Sequence, residues 1–393
     1  MTILRNIKVK VLDSWESFIQ SRKRKGEIRK FKDNRRVQIA NLYPLSNEQK
    51  KQIDELYINN YGEKIDYVWH QNYAAHAGKF DCRFFPELLY IPEFEAYQNQ
   101  NKAIAKMLSD KNFLPIVAKS VNIKMPETIV SCTNGVLRNS NNQIVSETEA
   151  LCLLNIIKTE LFVKPTKGSC SGVGCSKVKV LDKIDFRGGN LLLNNQLSYS
   201  RDFVVQKVLK CHKSLVDIYP SSVNTFRVIT YIWHNEIKTM PVILRIGQGG
   251  HFLDNAHAGG MFIAINNDGS LGKFAVTEFN ERFEKHPDTG LVFATHKIEH
   301  FDKVLLAAQK IHEAVPQIGI VNWDFTIDES GEPVLIEANC LGGGIWVIQM
   351  AHGIGPFGED TEEVLQWMKF MKRLKPHERL NYYGGQMNDL NGI

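Results

Sequence analysis

The segment Asn322–Asn339 limits what this chain can fold into more than any other. It reads Asn322-Trp323-Asp324-Phe325-Thr326-Ile327-Asp328, then Glu329-Ser330-Gly331-Glu332, then Pro333-Val334-Leu335-Ile336-Glu337-Ala338-Asn339. β-Formers flank a cluster of turn-formers, so the segment predicts a hairpin. A turn centred between Ser330 and Gly331 puts Asp324 directly opposite Glu337, with Cβ atoms about 5 Å apart. Asn339 shares the face of Glu337, because side chains two apart point the same way. Trp323, Phe325, Leu335 and Ile336 mark the opposite face as buried. Facing carboxylates repel. A cation between them removes that cost, and all-oxygen donors select a hard one, Mg²⁺, with two ions expected. The competing reading is a hairpin whose acids face solvent.

The whole chain has 393 residues. Single cores stop growing near ~250–300 residues, so at least two lobes are expected. Charged residues make up 23% and hydrophobic residues 43%, which excludes a disordered chain, a collagen-like chain and a coiled-coil rod. No stretch approaches the ~18 apolar residues of a membrane span. Met1–Gln20 lacks an apolar block with a cleavage site, so a cytoplasmic protein is expected. The net charge of +5 is local in origin, since Ser21–Arg36 holds nine Lys and Arg against Glu27 and Asp33. A nucleic-acid binder spreads charge along a face, so no nucleic-acid partner is expected. The segment 21–36 is either a solvated helix or a contact for an anionic membrane surface or phosphorylated partner. The seven cysteines are scattered and form no C-x-x-C, which excludes a zinc ribbon and a disulfide framework.

Along the chain, residues 1–100 read as a helical, irregular region. Ser46–Gln49 forms a capping box that opens a helix through about Asn60. Tyr67–Tyr97 is crowded with aromatics and broken by Pro86 and Pro92, and Asn101–Leu108 reads as a short helix. From Ile116 onward β-rich runs recur at Glu127–Val130, Leu161–Pro165, Ser176–Leu181, Phe203–Val208, Phe226–Trp233, Lys238–Ile246 and Met261–Asn266, then in the hairpin. Helical patterns cover Glu147–Lys158, Phe301–Val315 and Thr361–Arg373. Mixing without strict alternation predicts an α+β fold. The expected division is a first lobe at 101–210, a second at 211–380 and a flexible tail at 381–393.

Three further segments suggest chemistry. Phe162–Gly174 places Lys164 at a strand end before small residues that include Gly168, Ser169 and Gly172. Small side chains let backbone N–H groups approach phosphate, and the lysine adds a point charge. The G-K-[ST] ending of a Walker loop is missing, so this is either a phosphate-covering flap or an ordinary hairpin loop. Arg227 and Arg245 sit inside apolar runs, where an arginine either faces solvent or is paired within a site. Asp254–Gly260 is a polar loop with Asn255 and His257, either a substrate loop or a decorated turn. Gly342-Gly343-Gly344 is either an anion-facing helix start or a close-packing turn.

In this order the segments resemble an ATP-grasp enzyme over about Ser109–Gln349. The closer resemblance is to the sugar-transfer-associated ATP-grasp group. It is carried by Ser222-Val223-Asn224-Thr225-x-Arg227, by Asp254-Asn255-x-His257-x-Gly259-Gly260, by Asn322-Trp323-Asp324, and by Phe80-Asp81 with Phe85-Pro86-Glu87. The resemblance implies an ATP-grasp fold of two α+β lobes that sandwich ATP. It implies that Lys111 and Lys164 contact phosphates, with Gly168, Ser169 and Gly172 in the covering flap. Gln206, Lys207 and Val208 would hold the adenine and His212 would reach the ribose. Asp324, Glu337 and Asn339 would hold Mg²⁺. Arg227 would neutralise the transferring phosphate, and Arg245 joins it as a charge-bearing residue. Asn255 and His257 would lie near the acceptor. Gln206 replaces a common acid and Cys211 an expected glutamine, both on the nucleotide side.

The implied activity is an ATP-dependent carboxylate–amine ligase in cell-surface polysaccharide biosynthesis. Its expected substrates are an amino acid and a sugar or glycan precursor, handled in the cytoplasm or at the inner membrane surface. A small-molecule kinase and a non-catalytic ATP-binding subunit are the alternatives.

Overall fold

The computed structural model describes residues 2–166, 172–179 and 182–387, with side chains from residue 10 onward. Its strands in chain order are β1 (Thr128–Thr133), β2 (Val136–Asn139), β3 (Leu161–Pro165), β4 (Ser176–Val178), β5 (Ile184–Arg187), β6 (Asn190–Leu193), β7 (Gln196–Tyr199) and β8 (Phe203–Lys207). There follow β9 (Thr225–Trp233), β10 (Glu236–Thr239), β11 (Ile243–Ile246), β12 (Met261–Ala264), β13 (Ala275–Val276), β14 (Arg282–Phe283), β15 (Ile320–Ile327) and β16 (Pro333–Asn339). One antiparallel sheet has the order β2-β1-β8-β3-β4. A larger one runs β14-β13-β12-β11-β9-β15-β16, with β10 on β9, and β5-β6-β7 form a small third sheet.

The pleat decides what each face does. On β9, Phe226 and Val228 enter a core beneath the large sheet with Trp323, Phe325 and the helix Phe301–Glu313. Trp323 Nε1 donates to Thr230 Oγ1 (2.8 Å), and that hydroxyl lies 2.7 Å from His312 Nδ1. The His312 Nε2 proton goes to the Ile318 carbonyl (2.7 Å), so Nδ1 is the acceptor for Thr230. The opposite face of the same strands is divided. Ile229, Tyr231 and Trp233 pack against Phe94, Trp367 and the N-terminal region. Arg227, two residues earlier, lies at the other end of that face, next to Asp324.

The expected boundary near residue 100 does not divide the packing. Residues from Phe31 to Tyr97 share one core with β9, β12 and the helices Trp346–His352 and Thr361–Arg373. Ala105, Leu108, Leu114, Ala118 and Ile123, expected in the first lobe, belong to the core of the large sheet. The first lobe therefore begins near β1, and its own core lies between its sheet, the helix Glu147–Asn155 and the β5–β7 sheet. The tail expected to fray from Asn381 is anchored through the described residues. Tyr382 packs edge-on against Phe370 at 4.9 Å, and the Gln386 carbonyl accepts from Trp367 Nε1 at 3.1 Å.

Local signals located most elements. The Ser46/Gln49 capping box opens Asn47–Asn60, and Asn101 caps Lys102–Leu108. The run expected as one strand at Lys238–Ile246 splits into β10 and β11 around Pro241. β5–β7 were not expected. Their turn pairs Gly188-Gly189 and Asn194-Asn195 all have positive φ, the conformation that two-residue hairpin turns require.

Two acids of the N-terminal region hold the glycine loop that follows β16. Glu95 accepts from the amides of Gly342 (2.8 Å) and Gly343 (3.0 Å), and Glu87 Oε1 accepts from Ile345 N (2.7 Å). Gly343 has no substitute, because a Cβ there would lie 1.6 Å from Asn322 Nδ2. Burial pushes Glu87 up to about 8, with Glu27 adding repulsion, and burial pushes Glu95 up to about 7. Both folded values lie above the unfolded one, so their contribution is complete below about pH 4.3 and is lost as pH rises through 7 to 8. The thermal midpoint is expected to fall by a few degrees between about pH 6 and 8.5, and Glu87→Gln to flatten that slope. Scanning calorimetry across this range checks it; an equal slope in the variant would refute it.

Candidate nucleotide site

A cavity opens between the two large sheets. The smaller sheet contributes Phe162 and Lys164 from β3 and Gln206 and Lys207 from β8, followed by Val208 and Leu209. The larger sheet contributes Thr225, Arg245, Asp324, Ile336 and Glu337. Lys111, Gly172, Cys175, Asp254 and Asn255 line it from loops, with apolar Pro126, Val223, Phe252 and Leu253. Gly168 and Ser169 lie outside the described residues.

Asp324 faces Glu337 as expected, but the hairpin reaches this register by another route. Ile327 pairs with Pro333 and Phe325 with Leu335, so the turn centres on Ser330. A bulge between Asp324 and Phe325 then adds one residue to β16 and restores the pairing of Asp324 with Glu337. The extra residue is Ile336, expected on the buried face, and it lines the cavity instead. The turn itself is closed by Asp328, whose Oδ1 accepts from the amides of Ser330 and Glu332, both at 3.0 Å.

The acids are neutralised by the chain's own cations. Arg227, Asp324 and Glu337 form one row across β9, β15 and β16. Arg227 Nε donates to Asp324 Oδ1 at 2.6 Å, and Arg245 Nη2 lies 3.0 Å from Asp324 Oδ2. Arg245 also donates to Thr225 Oγ1, and Thr225 in turn donates through its amide (3.1 Å) and hydroxyl to Asp254. Lys111 Nζ lies 3.4 Å from Glu337 Oε2. The premise that facing carboxylates demand a metal is therefore corrected, because two guanidiniums and an ammonium already serve. Burial raises Asp324 to about 6 against the pull of Arg227 and Arg245. Burial acts on Glu337 too, but Lys111, Asp324, Lys164 and Arg245 outweigh it and bring it to about 2.

Lys164 is 5% exposed, and burial beside Lys111 brings it down to about 8. Arg227, Arg245, Lys111 and Lys164 thus converge where Asp324, Glu337 and Asp254 are the facing acids. Such a cavity suits a polyphosphate, which supplies the missing negative charge. Burial pushes the Cys175 thiol up despite Lys164, so it stays protonated and is a poor nucleophile. For Mg²⁺ the donor set fits. Asp324 and Glu337 offer oxygen at the cavity, while Asn339 lies outside the lining and turns its Nδ2 to them, 3.2 Å from Glu337 and 3.4 Å from Asp324.

Other expected residues fall elsewhere. His212 does not line the cavity. It caps the helix Lys213–Val216 through Ser214 and stands edge-on to His300 at 5.1 Å, so a ribose role has no support in its placement. His257 is also outside the lining, with Nδ1 2.7 Å from Glu278 Oε2, while Asn255 lines the cavity and caps the turn at His257 N. The Gln206 side chain is turned to Thr128 Oγ1 (3.0 Å), which leaves its backbone as the cavity edge. Sequence reasoning missed Thr225 and Asp254 as the brace for Arg245, although Thr225 stands two residues before Arg227.

Two facing sheets and a cationic cavity between them define the ATP-grasp fold. The chain belongs to the sugar-transfer-associated ATP-grasp family, which matches residues 92–364 and so extends past both ends of Ser109–Gln349. No curated protein matches the chain. Among solved structures it is similar to an L-amino acid ligase from Bacillus licheniformis, at 15% identity and TM-score 0.37, covering 72% of this chain and 51% of that one. It is also similar to a D-alanine–D-alanine ligase from Bacillus anthracis, at 14% identity and TM-score 0.36, covering 70% and 69%. The VanG D-Ala:D-Ser ligase from Enterococcus faecalis gives 12% identity and TM-score 0.38, covering 67% and 61%. The chain thus spans about half the length of the Bacillus licheniformis ligase.

Lys164→Met is expected to weaken ATP binding about tenfold or more, the scale of one charge-assisted hydrogen bond, without lowering the thermal midpoint. Titration calorimetry beside a melting curve measures both. Asp324→Ala leaves Arg227 and Arg245 without their carboxylate and is expected to cost roughly 3–5 kcal/mol of stability, read from denaturant unfolding.

Proposed function

We propose that this chain is an ATP-dependent ligase that joins a carboxylate to an amine. The carrying observation is that Lys111, Lys164 and Arg245 line one cavity, that Arg227 backs its Asp324, and that its lining thiol is held protonated. Such a cavity stabilises moving phosphate charge and needs no protein nucleophile. In the first step a substrate carboxylate oxygen attacks the γ-phosphorus, the bond to the bridging oxygen breaks, and ADP leaves. In the second step the amine attacks the acyl carbon, phosphate leaves with the C–O bond pair, and the amine proton passes to solvent. Lys111 and Lys164 hold phosphate oxygens throughout. Arg227 and Arg245, fixed by Asp324 and Thr225, present a rigid positive floor. Bound Mg²⁺, held by Glu337, Asn339 and Asp324, would supply further charge neutralisation. The family's association with sugar transfer favours a glycan precursor as one substrate; an amino acid is the proposed second substrate.

The test is ADP release with Mg²⁺, pooled amino acids and nucleotide sugars, beside Glu337→Ala. Release that requires carboxylate and amine together, yields an amide by mass spectrometry and falls at least ~100-fold in the variant supports a ligase. A phosphate ester as product would establish a kinase instead. ATP binding without turnover on any acceptor would favour a nucleotide-sensing subunit.

A further inference from the structure

We infer that the outward face of the N-terminal helix docks on an anionic bilayer surface. The helix Thr2–Lys30 lies against the body of the protein along one side. On that side Asp13 meets His377 (2.7 Å), Glu16 meets Lys102 (3.2 Å), Gln20 meets Arg379 (3.2 Å) and Arg24 meets Glu93 (2.6 Å). Glu27, one turn further on, is 6% exposed. These contacts fix the rotation of the helix about its axis. They leave a second row facing outward, at helical spacings of three and four: Val11, Trp15, Phe18, Arg22, Lys25 and Arg29.

That row has two halves. Val11, Trp15 and Phe18 are 62%, 61% and 52% exposed, and Leu12 beside them is 55% exposed. Arg22, Lys25 and Arg29 are exposed as well, and among the described residues they form no ion pair; Arg22 only overhangs the Phe18 ring at 5.9 Å. Three basic residues of 21–36 are instead engaged within the chain: Arg24 by Glu93, Lys30 by Glu27 and Arg36 by Glu278. The apolar half and the unspent basic half therefore share one helix face, about 27 Å long at ~1.5 Å per residue from Val11 to Arg29.

The chemistry of the row selects its occupant. Exposed aromatic and aliphatic side chains cost free energy in water and gain it at the headgroup–acyl boundary. Lys and Arg beside them meet lipid phosphates. A bilayer conforms to a convex helix, whereas a folded partner needs a matching groove. A second copy is disfavoured by charge. Parallel pairing sets Arg22, Lys25 and Arg29 against themselves, and antiparallel pairing sets them against Val11, Trp15 and Phe18. No helix among the described residues is long and apolar enough to cross a membrane, so the contact is peripheral.

The experiment is co-sedimentation of the full chain with vesicles of phosphatidylcholine, with and without about one-third phosphatidylglycerol. Wild type is expected to bind the anionic vesicles, to bind neutral ones at least ~10-fold more weakly, and to be released as salt rises. The triple change Arg22→Glu, Lys25→Glu, Arg29→Glu and the double change Trp15→Ser, Phe18→Ser are each expected to lower anionic binding at least ~10-fold. All five side chains are exposed, so ATP binding and the thermal midpoint should stay as in wild type. Failure of wild type to bind, equal binding to neutral vesicles, or unchanged binding by both variants overturns the inference. So does a wild-type dimer that Trp15→Ser, Phe18→Ser converts to monomer, which assigns the face to a second copy.

Discussion

The Asp324 carboxylate, 1% exposed and held between Arg227 and Arg245, is the constraint on which the rest of the structure depends. An ionised carboxylate without partners in that position would cost several kcal/mol. Its two guanidiniums come from β9 and β11, so the strand order β11-β9-β15-β16 is also the electrostatic order of the site. Arg245 is braced in turn by Thr225 and Asp254, which ties the loop after β11 into the same network. The result is a preorganised floor whose dipoles and charges are set before a nucleotide arrives, the arrangement that favours charge stabilisation in a transition state.

The second consequence concerns how the large sheet shares its upper face. One end carries Arg227, Asp324 and Glu337, while the other end carries Ile229, Tyr231 and Trp233 against the N-terminal region. The pleat makes these neighbours on a single strand. The N-terminal helices thus act as a wall beside the site, and Glu87 and Glu95 reach from them to the glycine loop behind Asn339. The first helix is itself tied to that region through Ile28 and ion pairs such as Arg24 with Glu93.

Much of this was legible locally. The Asp324–Glu337 pairing, the Ser46 capping box and the extent of β3 all follow from short-range pattern. The pairing was right even though the turn centre was not, because the bulge at Ile336 offset the one-residue difference. Errors arose where two local signals looked alike. Lys238–Ile246 is uniformly β-prone, and only its Pro241 marks the break between β10 and β11. His212 follows closely on Gln206–Val208 in sequence, yet as a helix cap it is turned to Ser214. The basic segment reads as one charge run, and only helix rotation separates Arg24, spent on Glu93, from Arg22, Lys25 and Arg29.

Sequence by itself determined which side chains share a face of each strand and where helices start, because pleat period, capping and turn chemistry act over a few residues. It also carried the family, through ordered motifs over about Ser109–Gln349, within the matched residues 92–364. Only the tertiary structure decided what neutralises the facing acids, where the lobes divide and which basic residues are free to meet a partner. Those outcomes depend on pairings between strands and helices up to hundreds of residues apart, such as Arg36 with Glu278, and on burial that no local pattern encodes.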